Sequence, residues 1–373
     1  MPANARPRVL LLIPHLGGGG AERVMALLAR GLSKEKYELH LGLITQTATS
    51  EALPASVHVH ALGARRVRTG AIRLLRLVRQ LEPELILSGM AHLNFLVLLL
   101  RPYFPRKTRV LVRQNGTVSA TLASGGVPCC TRLLYRLLYR RADRVICQTQ
   151  SMAEDIACQL GIAENRLAVL PNPVDLEEIR SSIGLNPAPQ IGSGPHLLAV
   201  GRLSREKGFD LLLKAMVAVR IEFPDARLLI AGSGPEEAAL KAECRAQGLD
   251  STVRFAGYVD RPWTLFPAAT LFVLSSRHEG MPNALLEAAA AGLPLVALPA
   301  AGGVAELLRD QHGVWLASTI SEDALAASLL AALRSLRPGE RFAHPFVEAF
   351  RLDRSIRTYE DLFDRTLELE RKS

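Results

Sequence analysis

The amino-acid sequence predicts an α/β protein with two domains, each built on a doubly wound parallel sheet. Short apolar segments of strand length alternate with longer amphipathic segments along the 373 residues. Continuous apolar runs are typical of strands that are buried on both faces of a parallel sheet. The Pro- and Gly-rich stretch Asn186–Pro195 interrupts this alternation and predicts a linker. We therefore expect an N-terminal domain at 1–182 and a C-terminal domain at 183–350.

The composition is typical of a soluble α/β enzyme, with 49% hydrophobic and 5% aromatic residues. No uninterrupted apolar run is long enough to predict a transmembrane helix, and the first residues show no signal-peptide pattern. The five cysteines contain no Cys-x-x-Cys pair. This argues against a disulfide framework and a zinc site, and it favours a reducing cytoplasm.

The net charge of +9 is concentrated in the first half of the chain. Up to Leu185 there are 24 Lys and Arg against 13 Asp and Glu, and after it there are 21 against 23. Such an asymmetry predicts that the first half meets an anionic partner, namely a membrane surface, a phosphorylated lipid or a nucleic acid. An Arg-rich chain without any such partner is the alternative.

The first predicted strand, Arg8–Pro14, leads into the glycine run Gly17–Gly20 and then into a helix. A glycine loop between a strand and a helix lets backbone N–H groups approach a phosphate. The loop matches neither the G-x-G-x-x-G spacing nor a P-loop, and a merely flexible loop explains the glycines equally well. Further strands are expected at 39–44, 57–62, 85–87, 110–112, 145–147 and 167–170, and a helix at 72–81.

Two basic segments of the first half have the pattern of amphipathic helices. In Thr131–Ala142 four leucines group on one side, and arginines accompany two tyrosines; the residues are Leu133, Leu134, Leu137, Leu138, Arg132, Arg136, Arg140, Arg141, Tyr135 and Tyr139. The second segment carries Arg65, Arg66, Arg68, Arg73, Arg76 and Arg79. Basic amphipathic helices suit an anionic membrane surface. The alternative is an ordinary surface helix whose apolar stripe lies in the core. No nucleic-acid recognition motif is present.

In the second half, loops follow predicted strands at 196–200, 227–231, 253–255 and 270–275. The first of these loops contains Arg202 and Lys207, two cations that could neutralise a diphosphate leaving group. Ordinary surface charge is the alternative for this pair. The sequence contains no Asp-x-Asp triplet, so a Mg²⁺ or Mn²⁺ held by carboxylates is not favoured.

Two carboxylates, Glu279 and Glu287, flank the last of these loops. Glu279 follows a predicted strand, at the edge where open α/β sheets bind ligands, and Glu287 lies about one turn into the next helix. The segment between them, Gly280–Asn283, offers backbone N–H groups at a helix N-terminus. A solvated loop with a capping Glu is the alternative for either carboxylate alone.

In this order and spacing, the motifs resemble those of the retaining glycosyltransferases of family 4, which have the GT-B fold of two Rossmann-like domains facing across a cleft. The motifs that carry the resemblance are Gly17–Arg23, Pro171–Asp175, Val200–Gly208, Ala231–Pro235 and Glu279–Glu287. The resemblance covers nearly the whole chain, and it implies that 351–373 returns to the first domain.

The resemblance also implies roles for individual residues. Arg202 and Lys207 would hold the donor diphosphate as it leaves, and Glu279 would complete the catalytic group by holding the donor sugar. The backbone of Gly280, Met281, Pro282 and Asn283 would also bind the donor sugar. Glu287 would bind the ribose, and Tyr258 would lie near the base. Gly18 and Gly19 would approach the phosphate or the sugar. No metal and no cofactor is expected besides the donor.

One position departs from the family pattern. Many members carry a His after the N-domain strand that here is followed by Arg113, Gln114 and Asn115. An Asn can bond a sugar hydroxyl but cannot carry a proton near neutral pH. We therefore expect a front-face substitution in which the leaving phosphate accepts the acceptor's proton, with retention of configuration.

The implied activity is transfer of a hexose or N-acetylhexosamine from a nucleotide-diphosphate sugar, with UDP expected as the nucleotide. The acceptor would be a glycan or a polyprenyl-diphosphate-linked glycan at the cytoplasmic face of the membrane. The alternatives are a GT-B nucleotide-sugar epimerase and a catalytically silent partner that binds a sugar nucleotide for another transferase.

Overall fold

The computed structural model describes residues 6–17, 19–45, 53–123, 131–185 and 194–371. Most of the predicted linker, 186–193, therefore lies outside the described residues, as does Gly18. The chain forms two compact units. The first contains Met1–Pro173 and Leu352–Ser373, and the second contains Val174–Arg351.

The first unit is built on a seven-stranded sheet in the order β3-β2-β1-β4-β5-β6-β7. All of its strand pairs are parallel. The strands are β1 Arg8–Ile13, β2 Glu38–Leu43, β3 His58–Ala61, β4 Leu85–Ser88, β5 Arg109–Arg113, β6 Arg144–Cys147 and β7 Leu167–Val169. The expected strands of this half are confirmed. The strand order reverses beside β1, where doubly wound sheets open a crevice.

Helices cover both faces of this sheet. They are α1 Gly20–Gly31, α2 Ala71–Leu81, α3 Ala91–Leu100, α4 Val118–Ala123, α5 Thr131–Tyr139, α6 Gln150–Leu160 and, from the end of the chain, α13 Leu352–Arg371. Successive side chains of a strand point to opposite faces. Val9, Leu11 and Ile13 therefore pack in a core with α1 and α13. Leu10 and Leu12 pack in a second core with α2, α3, α5 and α6.

Polar contacts add to the packing of α13 on this unit. Glu360 accepts hydrogen bonds from the Ser33 N–H at 2.8 Å and from Lys36 Nζ at 2.9 Å. Tyr37 donates from its hydroxyl to Asp364. Tyr359 is fully buried in the core. The last helix is thus an integral part of the first unit.

The structure orients α5 with its tyrosines, rather than most of its leucines, toward the core. Tyr135, Leu138 and Tyr139 are buried against the core, whereas Leu133, Leu134 and Leu137 are exposed. The aromatic rings take the inner positions because Phe95 of α3 meets Tyr135 edge to face, with ring centroids 4.5 Å apart. The alternative in which the leucine stripe lies in the core is wrong for these three leucines.

The second unit is built on a six-stranded sheet in the order β10-β9-β8-β11-β12-β13, again with parallel pairs. The strands are β8 His196–Val200, β9 Arg227–Ala231, β10 Val253–Gly257, β11 Leu271–Leu274, β12 Leu295–Ala297 and β13 Val314–Leu316. The helices are α7 Leu176–Leu185, α8 Phe209–Glu222, α9 Glu237–Ala246, α10 Asn283–Ala290, α11 Val304–Leu308 and α12 Glu322–Ser335.

Two apolar cores flank this second sheet, one formed with α8, α9 and α12 and the other with α7, α10 and α11. Both units are therefore doubly wound parallel sheets, as the sequence predicted. Within the ranges that the structure describes, no helix combines the length and the apolar character needed to cross a membrane.

Candidate active site

Four loops of the second unit leave the sheet at the carboxyl ends of neighbouring strands. They follow β8, β9, β10 and β11, and they contain most of the side chains that the sequence singles out. Parallel strands end at one edge, so these loops share one side of the unit.

Glycines allow the loops after β8 and β9 to touch through their backbones. The Leu203 N–H donates to the Ser233 carbonyl at 3.0 Å, and the Glu236 N–H donates to the Leu203 carbonyl at 2.9 Å. A Cβ at Gly232 would overlap the Gly201 carbonyl, and one at Gly234 would overlap the Leu203 carbonyl. Only glycine permits this close approach, which holds the loop carrying Arg202 in place.

The Arg202 side chain is exposed at this edge. Its guanidinium makes no hydrogen bond or ion pair within the described ranges. A guanidinium presents five N–H donors in a planar fork that matches phosphate oxygens. Arg202 can therefore take a phosphate without giving up an existing partner.

The loop after β8 is also fixed to the loop after β11. The Arg277 guanidinium forms a bidentate ion pair with the Asp210 carboxylate at 2.7 and 2.6 Å. The backbone N–H of Arg277 donates to the Glu206 carbonyl at 2.8 Å. Burial alone would raise the pKa of Asp210, but the hydrogen bonds and charge of Arg277 lower it below its ordinary value. Sequence reasoning missed this pair, whose members lie far apart along the chain.

Gly208 completes the junction between these two loops. Its φ is +63°, and a Cβ there would overlap the Ser275 carbonyl. Ser275 Oγ donates to the Lys207 carbonyl at 2.8 Å. The backbone on either side of Lys207 is therefore held against the end of β11.

Lys207 and Glu279, two of the three predicted catalytic residues, are paired with each other. Lys207 Nζ lies 2.7 Å from Glu279 Oε1 and 2.9 Å from Oε2. Ser276 Oγ donates to Glu279 Oε1 at 2.6 Å. The Glu279 side chain is only 7% exposed. Both carboxylate oxygens thus already accept hydrogen bonds, which holds Glu279 in one position.

The segment after Glu279 is a close-packed turn into α10. The Glu279 N–H donates to the Ala301 carbonyl at 2.9 Å, and Gly302, at φ +112°, has no room for a Cβ beside the Glu279 carbonyl. Gly280 and Pro282 are buried, and Met281 and Asn283 are partly exposed. These residues lead directly into the helix N-terminus, as predicted.

Glu287 and Tyr258 lie on different elements of the same unit. Glu287 is buried in the second turn of α10. Tyr258 is exposed just after β10, and its hydroxyl donates to Asp260 at 3.2 Å. The contacts described above do not join either residue to the Lys207–Glu279 pair, so their roles remain predictions.

In the first unit, an acidic side chain stands beside the glycine loop. Gly19 precedes α1, and a Cβ on Gly19 would overlap the carboxylate of Glu22, which is buried. His15 Nδ1 lies 3.9 Å from Glu22 Oε1. A carboxylate at this helix N-terminus repels a phosphate but accepts hydrogen bonds from sugar hydroxyls. Sequence reasoning did not single out Glu22.

At the end of β5 the structure separates Asn115 from Gln114. Gln114 is buried and accepts a hydrogen bond from the Tyr139 hydroxyl at 2.6 Å. The Asn115 side-chain oxygen accepts from Arg113 and from Gln148 Nε2, the latter at 3.0 Å. Gln114 is therefore a core residue, and Asn115 is the partly exposed member of the pair.

Arg113 is a fully buried cation that joins three parts of the first unit. Its guanidinium donates to Asn115, to Asn172 and, at 3.2 Å, to the hydroxyl of Tyr359 on α13. No carboxylate of a described residue forms an ion pair with it. These three hydrogen-bond partners of Arg113 are thus neutral groups, and one of them is Asn115.

The described ranges hold no cluster of three or more His, Cys, Asp or Glu side chains that could bind a metal ion.

Two family models match the chain. One, for glycosyl transferases group 1, covers residues 188–349, and the other, for glycosyltransferase family 4, covers residues 18–178. Together they take in nearly all of both units.

Named relatives span most of the chain. An N-acetylgalactosamine-N,N'-diacetylbacillosaminyl-diphospho-undecaprenol 4-alpha-N-acetylgalactosaminyltransferase of Campylobacter jejuni is 26% identical over 86% of this chain and 88% of its own length. The lipopolysaccharide core biosynthesis glycosyltransferase LpsE of Rhizobium meliloti is 28% identical over 77% of this chain and 78% of its own.

Among solved structures, the Anabaena protein HepE in complex with UDP and glucose matches with a TM-score of 0.78 at 17% identity. The match covers 96% of this chain and 100% of that one. At this identity the likeness shows the fold alone.

Proposed function

Because the chain belongs to the family 4 glycosyltransferases, with the GT-B fold, we propose that it transfers a hexose or N-acetylhexosamine from a UDP-sugar. The proposed acceptor is a glycan or a polyprenyl-diphosphate-linked glycan at the cytoplasmic face of the membrane, and the configuration at the sugar is retained. The observation that carries the proposal is the Lys207–Glu279–Ser276 cluster together with the exposed Arg202, which lies in the same loop as Lys207.

The donor diphosphate would lie between Arg202 and Lys207. Arg202 contributes an unneutralised positive charge, and Lys207 has a third N–H besides those directed at the two oxygens of Glu279. A Lys207 that bridges Glu279 and a phosphate oxygen places sugar and leaving group side by side. Cations that are already positioned stabilise charge on a leaving group without reorganisation. This supports catalysis without a metal.

Glu279 would hold the donor sugar rather than attack it. The hydrogen bonds from Lys207 and Ser276 and the positive charge of Lys207 make the carboxylate of Glu279 a weaker nucleophile. Its remaining lone pairs can still accept a hydrogen bond from a sugar hydroxyl. In the proposed front-face reaction, the acceptor oxygen forms the new bond to the sugar on the side from which the phosphate departs. The departing phosphate takes the acceptor's proton, so no protein base is required.

The first unit would contribute the contacts to sugar and acceptor. Glu22 beside Gly19, and Asn115 held by Arg113 and Gln148, are suited to bond hydroxyls rather than phosphates. Gly18, which lies outside the described residues, is proposed to contact the same substrate on the strength of the motif alone. Glu287 is proposed for the ribose, and Tyr258 for the neighbourhood of the base.

The UDP-sugar donor is supported by the structural likeness to HepE, a protein solved with UDP and glucose. The lipid-linked acceptor is supported by the name of the Campylobacter jejuni relative, which places its acceptor on diphospho-undecaprenol.

The test is a panel of UDP-, GDP- and ADP-sugars, first for donor hydrolysis and then for transfer to a polyprenyl-diphosphate glycan. We expect turnover with UDP-sugars and an α-linked product from an α-linked donor. Arg202→Ala, Lys207→Ala and Glu287→Ala should each reduce turnover strongly while the thermal unfolding profile is kept.

Wild-type turnover in all three variants would refute the assigned site, and a β-linked product would refute retention. An epimerised free nucleotide sugar as the only product would establish the epimerase alternative. Donor binding without any turnover over the whole panel would support the silent partner.

A further inference from the structure

One face of the first unit is strongly basic. From Ala52 to Ala142 the chain has 15 Lys and Arg but only two acidic residues, Glu82 and Glu84. Both acids lie near Lys107, with Glu82 3.2 Å and Glu84 3.7 Å from its ammonium group. None of the three helices α2, α3 and α5 contains an Asp or Glu.

These three helices lie side by side on one face of the first sheet. Their inner residues share a single core, and α3 contacts both α2 and α5. The Phe95 ring of α3 packs against Tyr135 and Tyr139 of α5. Arg79 of α2 donates to the carbonyl of Tyr103, which follows α3, at 3.5 Å. Their outward side chains therefore form one surface.

That surface is apolar as well as basic. On α5, Leu133, Leu134 and Leu137 are 58%, 45% and 53% exposed, and exposed arginines interleave with them. Ile72 of α2, Leu99 of α3 and Tyr103 just after α3 are also exposed. The exposed arginines of the three helices and their flanks include Arg65, Arg66, Arg68, Arg73, Arg76, Arg79, Arg132, Arg136, Arg140 and Arg141. Leucines that are exposed together on one helix mark a surface that interacts with an apolar partner.

We propose that this surface, hereafter the α2–α3–α5 face, docks on an anionic phospholipid bilayer. Leu133, Leu134 and Leu137 enter the acyl boundary, and the arginines contact the lipid phosphates. Docking through this face would bring the acceptor side of the proposed transferase to its lipid-linked substrate, and this one consequence rests on the proposed function. Binding of the face to a bilayer does not depend on sugar transfer.

The chemistry of the face favours a bilayer over other anionic partners. Single-stranded nucleic acids are bound by several exposed aromatic rings on which successive bases stack. On this face Tyr135 and Tyr139 are buried, and Tyr103 is the one exposed tyrosine among the described residues of the face. A second copy meeting through the same face would bring like charges together without acids to offset them. A bilayer accepts leucines and offers phosphates in one plane.

The test is flotation of the purified full-length chain with vesicles of phosphatidylcholine alone and of phosphatidylcholine with about a third phosphatidylglycerol. We expect binding only to the anionic vesicles. A variant with Arg132→Glu, Arg136→Glu and Arg140→Glu should lose at least about a hundredfold in partition coefficient. A separate variant with Leu133→Ser, Leu134→Ser and Leu137→Ser should lose about tenfold for each leucine that inserts.

The controls carry changes of the same kind, but fewer, on the second unit. Ile221, the most exposed large aliphatic residue among those described in that unit, is changed to Ser, and the exposed Arg245 and Arg254 are changed to Glu. These controls should float like the wild type. Circular dichroism and UDP-sugar hydrolysis show that all variants are folded and able to act on the donor.

Equal flotation of the wild type and both α5 variants would overturn the proposal, as would binding to neither vesicle. Binding of single-stranded RNA in competition with anionic vesicles would assign the face to nucleic acid instead. If the wild type floats with anionic vesicles but hydrolyses no UDP-sugar, the proposed function is wrong and the docking proposal is retained.

Discussion

At the scale of single residues, the Lys207–Glu279 pair decides how charge is arranged at the site. A lysine that neutralises a carboxylate contributes less net charge to a diphosphate than a free lysine does. In the proposed site, Arg202 would then be the principal cation for the leaving group. Lys207 would instead couple the phosphate position to the sugar position, through a carboxylate that Ser276 also holds.

The first prediction concerns Glu279. In Glu279→Gln the amide keeps one acceptor oxygen but directs an NH₂ group at the Lys207 ammonium, so the sugar contact and the lysine position are both lost. We expect turnover to fall by about a hundredfold, since hydrogen bonds to charged groups contribute about 1.5–3 kcal/mol each. The measurement is initial rate with a saturating UDP-sugar.

The matched control is Glu206→Gln, an exposed carboxylate in the loop that carries Lys207. It should retain nearly normal turnover. Added azide should not restore activity to Glu279→Gln, because a sugar-binding carboxylate is not replaced by an external nucleophile. Accumulation of a glycosyl azide would show instead that Glu279 is the nucleophile.

Gly208 provides a prediction about stability. Gly208→Ala combines a left-handed backbone with overlap of the new Cβ and the Ser275 carbonyl, whereas Gly248→Ala has the same φ of +63° and only the Arg220 side chain nearby. Gly248→Ala should cost about 1–2 kcal/mol. Gly208→Ala should cost about 2 kcal/mol more and reduce turnover, because overpacking adds to the backbone strain. Urea unfolding compares the two, and equal losses would contradict the described junction.

Sequence reasoning identified these residues but not their connections. Glu279, Arg202 and Lys207 lie after apolar strands, and that placement can be read from the pattern alone. The pairing of Lys207 with Glu279 and of Arg277 with Asp210 depends on which strands are neighbours. Burial of Arg113 among neutral partners was not predicted either, since an arginine after a strand looks exposed in a sequence.

At the scale of elements, the pairing of β2 with β3 stacks three histidines. The rings of His58 and His60 lie 5.0 and 5.2 Å from the ring of His40, and His40 Nδ1 is 3.0 Å from His60 Nε2. Burial lowers the pKa of His40, with His60 and His58 acting in the same direction and Glu38 opposing them. Burial and His58 lower the pKa of His60. The folded strands therefore favour neutral rings.

A pH dependence follows from this cluster. Because the folded pKa values lie below those of the unfolded chain, stability is full above about pH 6.5 and is lost as the pH falls below it. We expect the free energy of unfolding to decrease from pH 7 to pH 5 more steeply in the wild type than in His40→Gln/His60→Gln. The difference is at most about 1.4 kcal/mol per pH unit for each histidine.

Denaturant unfolding at several pH values measures this slope. His344 of the second unit also has its pKa lowered, by burial first, and its contribution is common to both proteins. Identical slopes for the wild type and the double variant would show that the β2–β3 cluster does not favour neutral rings.

Elements were more predictable than the directions in which they face. The alternation of apolar and amphipathic segments located the strands and the long helices, because buried parallel strands are apolar throughout. The orientation of α5 was open, since leucines and tyrosines can both fill a core. Phe95 of α3 settles it by meeting Tyr135, and no local pattern around α5 reports that neighbour.

At the scale of the whole molecule, the two GT-B units differ in charge. The first unit carries 28 Lys and Arg against 16 Asp and Glu, and the second carries 17 against 20. Charged residues that contact a membrane act over about a Debye length, roughly 8 Å at physiological salt. The acceptor side of the enzyme should therefore respond to salt, whereas the donor side should not.

The final prediction separates these two responses in one enzyme. With an acceptor embedded in anionic vesicles, turnover should fall several-fold between low salt and about 1 M salt, because screening then shortens the Debye length to about 3 Å and weakens the arginine–phosphate attraction. Hydrolysis of the UDP-sugar without acceptor should change little, since in the proposed site Arg202 and Lys207 would meet the diphosphate at contact distance, where salt screens little. The variant with Arg132→Glu, Arg136→Glu and Arg140→Glu should start at the low rate and lose the salt dependence. If the wild-type rate falls equally in both assays, salt acts at the donor site. The charge difference between the units then plays no part in access to the acceptor.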